Sequence, residues 1–234
     1  MGYIIFHELT GINVINLYST TMFKEMHKGG GGIAPRTGTY IVGVFNLVGT
    51  TCSILFVNNF GRKTLLIWGH ILIAIVHAMV GYFNVEGNNN GVVVMIMVFL
   101  FVYGNTSGPL AWLYAAETVI DVAMGICLLT LWGTVCVLSQ VCPILMDENS
   151  IGPSNVFFIF SGLSVFGALY VAVFIKESRG LSDREKKLLY TPKRFIAEAD
   201  LAIKEDSTST AKVDQLAAVD GLPIVVEETE VKME

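Results

Sequence analysis

The sequence predicts an all-α membrane protein, a bundle of six transmembrane helices. Two observations carry that prediction. Between Lys63 and Lys176 the chain holds only five full charges, Glu86, Glu117, Asp121, Asp147 and Glu148. They sit in three clusters (Glu86, Glu117 with Asp121, Asp147 with Glu148), and the stretches between clusters each exceed the ~18 uncharged residues that mark a spanning helix, because a hydrocarbon core of about 30 Å takes roughly 20 helical residues to cross. The second observation is bulk composition: 53% of residues are hydrophobic and mean hydropathy is positive. That leaves no room for a soluble globular domain of this length. The spans fall at about 2–23, 37–58, 64–85, 92–116, 122–146 and 153–175. They make a six-helix membrane unit over 1–176, followed by a tail over 177–234.

In the first span His7 and Glu8 sit beside Thr10, Gly11, Asn13 and Asn16. An ionisable pair inside a membrane is costly unless it faces a cavity or a partner. Two readings stand: a functional pair, or a pair at the water interface, ~9 Å inside the helix start at about 1.5 Å per residue. Asn13 lies near mid-span. On an unbroken helix these three side chains would fan around the axis. A break near Gly11 would let them converge, a device membrane proteins use at ligand sites. The loop that follows, 28–36, is a glycine run closed by Pro35, which makes it a flexible connector.

The second span places Asn46 and Thr50 on one face, four residues apart. Asn46 near mid-membrane is either half of an interhelical hydrogen bond or a group facing a ligand. The fourth span contains Asn105-Thr106-Ser107-Gly108-Pro109 and then Trp112. Proline removes a backbone hydrogen bond, so a helix break is expected at Gly108 and Pro109. The Asn105 sequon lies within the span, out of reach of glycosylation. In the fifth span Trp132 is either packing or a flat wall for a ligand.

The basic residues set the orientation. Arg62, Lys63, Lys176, Arg179, Arg184, Lys186, Lys187, Lys193 and Arg194 lie on one side, against Lys24, Lys28 and Arg36 on the other. Both termini are therefore expected in the cytoplasm of a multi-pass protein, with plasma membrane and endomembrane not distinguished. In the tail, 181–190 reads as one short helix starting from a Ser182 cap with Glu185 three residues on, and the rest as mostly disordered. Cys52, Cys127, Cys136 and Cys142 lie in apolar runs without metal-ligand spacing and read as small buried hydrophobes. The first residues read as neither a signal peptide nor a myristoylation motif, no nucleic-acid partner or cofactor is expected, and no nucleophile–base grouping suggests an enzyme.

Four separated segments resemble the C-terminal half of the sugar porter branch of the major facilitator superfamily. They are Glu8-Leu9-Thr10-Gly11-Ile12-Asn13 with Tyr18-Ser19-Thr20, then Gly61-Arg62-Lys63, then Gly108-Pro109-Leu110-Ala111-Trp112 running to Glu117, and finally Glu177-Ser178-Arg179-Gly180-Leu181-Ser182. The resemblance covers about 2–183. It implies transport of a hexose-like sugar by alternating access. His7, Glu8, Asn13, Asn46, Trp112 and Trp132 would line the substrate site, since amides satisfy sugar hydroxyls and indoles stack on the apolar ring face. Arg62, Lys63, Glu117, Glu177 and Arg179 would form a cytoplasmic ion-pair cluster that gates the halves. It also implies a missing N-terminal six-helix half, on a longer chain or a partner, with the substrate bound between halves.

The sequence departs from the family pattern at several points. His7 and Glu8 replace two adjacent glutamines, which adds a titratable pair and opens the way to proton coupling. Leu131, beside Thr130, replaces an asparagine, Asn58 and Gly104 replace acids, and Thr118-Val119-Ile120-Asp121 lacks the expected arginine, so the ion-pair cluster is expected to be weak. A non-transporting sensor or regulatory module, or a facilitator of another small polar solute, stay open as alternatives.

Overall fold

The computed structural model describes residues 2–16, 24, 34–119, 121–147, 149–191 and 195–196. The loop 28–33 and the tail beyond 196 lie outside the described residues. The described elements are helices: α1 (Gly2–Glu8), α2 (Pro35–Asn59), α3 (Arg62–Val85), α4 (Asn89–Asn105), α5 (Ser107–Thr118), α6 (Asp121–Met146), α7 (Pro153–Phe174) and α8 (Asp183–Leu188). Five stretches among them are long and apolar enough to cross a membrane, namely Arg36–Val57, Arg62–Val85, Asn89–Thr118, Ala123–Met146 and Pro153–Phe174. The expected first span is described only over 2–16, and it is interrupted there.

Local sequence explains where these helices start and stop. Pro35 and Pro153 stand in the first turns of α2 and α7, where a missing N–H leaves no bond unmade. Gly87 and Gly152, with φ of 69° and 83°, take the left-handed turns that end α3 and precede α7. Asn88 caps α4 by accepting from Gly91 N at 3.0 Å. The fourth span is interrupted at Thr106 (φ −124°, ψ −92°). Pro109 is the physical cause: a proline ring clashes with the carbonyl four residues earlier, and that residue, Asn105, is the last of α4. The interruption thus falls ahead of Gly108 and Pro109, both of which lie in the first turn of α5.

The chain divides into two units, 1–181 and 182–234. Within the first, α3 is the central helix, packed against α7 along its length and against α4 and α5, while α2 lies on α4 and α1 sits among α5, α6 and α7. Leu65, Leu66, Gly69, His70, Ile73, Val76, His77 and Val80 form the buried face of α3, at the spacing of one helical stripe. Ile73 and Val80 join Ile96, Phe99, Phe157 and Phe160 in one apolar cluster. Leu66 joins Tyr3, Leu110, Tyr114 and Val171 in a second, and Ile4 of α1 meets Cys127 and Leu131 of α6 in a third.

Lipid is as apolar as leucine, so helices associate in it by close fit. Glycine permits that fit at the α2–α4 crossing: a Cβ on Gly104 would lie 3.1 Å from backbone atoms of Gly49 and Thr50. The position where the family carries an acid is therefore filled by backbone contact here.

Candidate functional site

The interruption of the first span builds the centre of the site. α1 stops at Glu8, Gly11 takes φ 80°, and helix resumes over 12–16. Positive φ costs glycine little, and the ring of Phe160 lies where a Cβ on Gly11 would be, at 3.2 Å. The freed carbonyls find local donors. Thr10 Oγ1 donates to His7 O at 2.7 Å and Gly11 N to Glu8 O at 3.0 Å. The break also brings Asn13 back beside Glu8, and Asn13 Nδ2 donates to Glu8 Oε2.

His7 and Glu8 are each 2% exposed, so the pair is buried within the bundle. His7 Nδ1 lies 3.2 Å from Ser107 Oγ, and Nε2 lies 3.0 Å from Tyr103 OH and 3.7 Å from Glu8 Oε1. Ser107 Oγ in turn is 3.1 Å from Tyr3 OH. Both ring nitrogens are thus engaged, and His7 links the break at Gly11 to the break at Thr106. His7, a substrate-site residue by resemblance, has both ring nitrogens within hydrogen-bond reach of hydroxyls inside the bundle. Gly108 belongs to the same linkage, since a Cβ there would sit 3.0 Å from the Tyr103 ring.

The remaining expected ligands stand on other elements. Asn46 on α2 is half-buried, and its carbonyl accepts from Thr50 Oγ1 at 2.9 Å. Trp112 on α5 is 38% exposed and Trp132 on α6 is 64% exposed. Among the described residues neither indole has a ring partner. Trp132 is therefore not core packing of this unit. No hydrogen bond or ring contact among the described residues joins Asn13, Asn46, Trp112 and Trp132 to one another. Leu131, where the family has an asparagine, turns toward α1 and packs on Ile4.

The second constellation lies where α2 ends and α3 begins. Glu177 accepts from four backbone N–H groups: Oε1 from Arg62 at 2.8 Å and from Ser178 and Arg179 at 3.1 Å each, and Oε2 from Lys63 at 3.1 Å. A carboxylate at a helix N-terminus satisfies orphan donors and meets the positive end of the helix dipole. Gly61 makes room for it, because a Cβ there would collide with the Glu177 carboxylate. Arg62 Nη2 pairs with Glu117 Oε1 at 3.2 Å, and Ser178 Oγ donates to Glu117 Oε2 at 3.0 Å. Lys63 and Arg179 depart from the expected ion-pair roles. Lys63 Nζ donates to Ala172 O at 2.7 Å and Arg179 Nη1 to Asn59 O at 2.9 Å, both backbone carbonyls.

A family model described as "Sugar (and other) transporter" matches residues 1–187. The chain belongs to the sugar transporter family. It is 28% identical over 193 residues to the arabinose-proton symporter of Bacillus subtilis, an alignment that covers 80% of this chain and 40% of that protein. It is 31% identical over 190 residues to the glucose facilitated diffusion protein of Zymomonas mobilis, covering 76% of this chain and 39% of that one. In structure it is similar to the proton:xylose symporter XylE bound to 6-bromo-6-deoxy-D-glucose, with a TM-score of 0.71, 26% identity and coverage of 80% of this chain and 41% of that one. The chain therefore spans about two fifths of the length of these relatives. As a member of the sugar transporter family it is a multi-pass integral membrane protein and not an enzyme.

Three residues of this chain take part in contacts that no local motif announces. His70 and His77, seven residues apart in the third span, are both fully buried on the inner face of α3. Their spacing was the available signal, since seven residues return a helix to nearly the same face. Ser178 is fully buried and supplies Glu117 with a donor where the family's arginine is absent. Nothing local marks that serine, because its partner is 61 residues away in sequence.

Proposed function

We propose that this chain forms the C-terminal half of a transporter for a hexose-like sugar. It rocks against an N-terminal half, with both termini in the cytoplasm. Asn13, Asn46, Trp112 and Trp132 contribute this half's share of the sugar site. The observation that carries the reading is the unwound turn at Gly11, which sets the Asn13 amide against Glu8. Among the described residues Asn13 Oδ1 and the second Nδ2 hydrogen have no partner, and a sugar hydroxyl wants donor and acceptor together. The uncovered indoles of Trp112 and Trp132 supply the flat apolar surface that a sugar's C–H face requires. Arg62, Glu117, Ser178 and Glu177 tie α3, α5 and the segment after α7 together. Releasing that tie biases which face of the transporter is open.

Glu8 adds a proton to the mechanism. It is a buried carboxyl whose described neighbours are Asn13, His7 and, through His7, Tyr103. Protonation there alters the group that holds the Asn13 amide, which links proton occupancy to the grip on the solute.

The test is hexose uptake in cells lacking their own transporters, driven by the gene that contains this chain. Asn46→Ala and Trp112→Ala are each expected to cut uptake at least tenfold, on the scale of about 1.4 kcal/mol per decade of affinity, with surface expression retained. Unchanged uptake in both variants refutes the site. A second reading, a small polar solute other than a hexose, is favoured by the commitment of Asn13 Nδ2 to Glu8. A panel of pentoses, hexoses, disaccharides and polyols competing for uptake separates the two.

A further inference from the structure

We propose that His77 is a positioning residue for the broken turn at Gly11 and, through it, for the solute site, which it does not touch. The step from turn to solute rests on the reading of Asn13 as a sugar ligand. His77 is fully buried, and its Nε2 lies 2.8 Å from Thr10 O. A carbonyl oxygen only accepts, so Nε2 carries the proton and Nδ1 is a bare lone pair. That Nδ1 has no partner among the described residues. The ring lies among Phe99 at 4.7 Å and Phe157 and Phe160 at 5.9 Å each, centroid to centroid. A phenyl ring would fill such an apolar cage without stranding a buried acceptor, which carries a free-energy penalty. What histidine does there that phenylalanine cannot is hold the Thr10 carbonyl.

That carbonyl belongs to the residue before the left-handed Gly11. Thr10 lies two residues after Glu8 and three before Asn13, the pair that the break brings together. Phe160 of α7 touches both the His77 ring and the Gly11 position. The break is thus gripped from α3 through a hydrogen bond and from α7 through a ring. His70, on the same face of α3, makes the contrast: its Nδ1 donates at 3.0 Å to Leu66 O, so its hydrogen bond stays within its own helix.

The experiment uses the full chain in lipid nanodiscs, with His77→Phe, which keeps a ring and removes the donor, and His77→Gln, whose amide nitrogen restores a donor at similar reach. Hydrogen exchange over 9–14 reads the turn directly and needs no substrate. The Phe variant is expected to speed exchange there roughly three- to tenfold, the loss of one buried hydrogen bond, and the Gln variant to stay near wild type. For hexose uptake by the gene containing the chain, KM is expected to rise in the Phe variant by a similar factor while the maximal rate holds. Unchanged exchange in the Phe variant overturns the proposal. Equal loosening in both variants overturns it too, since ring volume would then be the cause. The expected exchange pattern with no hexose binding by the wild type leaves His77 holding the turn and sinks the sugar reading alone.

Discussion

Glu8 is a buried carboxylate and Glu177 a half-buried one, and their surroundings are opposite. Glu177 collects four backbone N–H donors from two chain segments and sits at the start of α3. Among the described residues Glu8 has one amide donor and a histidine 3.7 Å away that is shared with a tyrosine and a serine. Backbone donors cannot leave without unfolding a segment, whereas side-chain donors can turn away. A carboxylate held by the main chain is a fixture, and one held by an amide can change state. The difference separates the part of this protein that sets its architecture from the part proposed to respond to a solute.

Removing the fixture is expected to have the largest effect. Glu177→Ala strips the start of α3 of its acceptor and leaves partly buried N–H groups unpaired. At roughly 1.5–3 kcal/mol per hydrogen bond to a charged group, the purified chain in detergent should melt at least 5 °C lower. Glu177→Gln, which keeps an acceptor oxygen, should recover part of that. A melting temperature unchanged in Glu177→Ala would erase the distinction between the two carboxylates.

Removing the responsive group comes next. Glu8→Gln keeps an acceptor for Asn13 but cannot titrate. Uptake by the gene containing the chain is expected to depend on external pH, and the substitution to flatten that dependence while surface expression holds. A pH profile identical in wild type and Glu8→Gln would count against a proton at this site. Glu117→Gln should be milder, about 1 kcal/mol or less, because it loses an ion pair with Arg62 that is partly open to solvent. A melting shift as large as that of Glu177→Ala would show that the Arg62 pair, and not the backbone cradle, holds this end.

The smallest effect belongs to α8. Backbone and hydroxyl hydrogen bonds from Ser182, with Arg184 nearby, hold the fully exposed Glu185 carboxyl below the usual carboxylate range. A depressed folded pKa means a contribution present above the unfolded value and lost as pH falls through the folded one. Acidification below about pH 4 should fray this short helix, read as a loss of amide protection over 183–188. A helix equally protected at pH 3 and pH 7 would show that its capping box does not depend on charge.

The two carboxylates also divide what the sequence disclosed from what it did not. Five of the six expected spans recur as long apolar helical stretches, because membrane thickness imposes a length on any apolar run, and the break at Gly11 was legible because glycine beside polar groups in a span is a local signal. The short helix after Ser182 was legible for the same reason, since a capping box is complete within four residues. The break before Pro109 was expected slightly late, since a proline disrupts the turn that precedes it. Glu177 was expected to pair with cations. It instead cradles main-chain donors, which depends on a tertiary approach that no side-chain identity announces. His77 and Ser178 were missed for the same reason: their partners, Thr10 and Glu117, are 67 and 61 residues away in sequence. Asn13, by contrast, lies only five positions after Glu8, its partner.

The cradle at Gly61 has a practical consequence for anyone handling this chain. The stretch from Ile175 to Leu181 looks like an expendable exit from α7, yet its Glu177 closes the start of a helix more than a hundred residues upstream. Reporter fusions or stop codons inserted directly after Phe174 would take that closure away, so tags belong beyond Leu181.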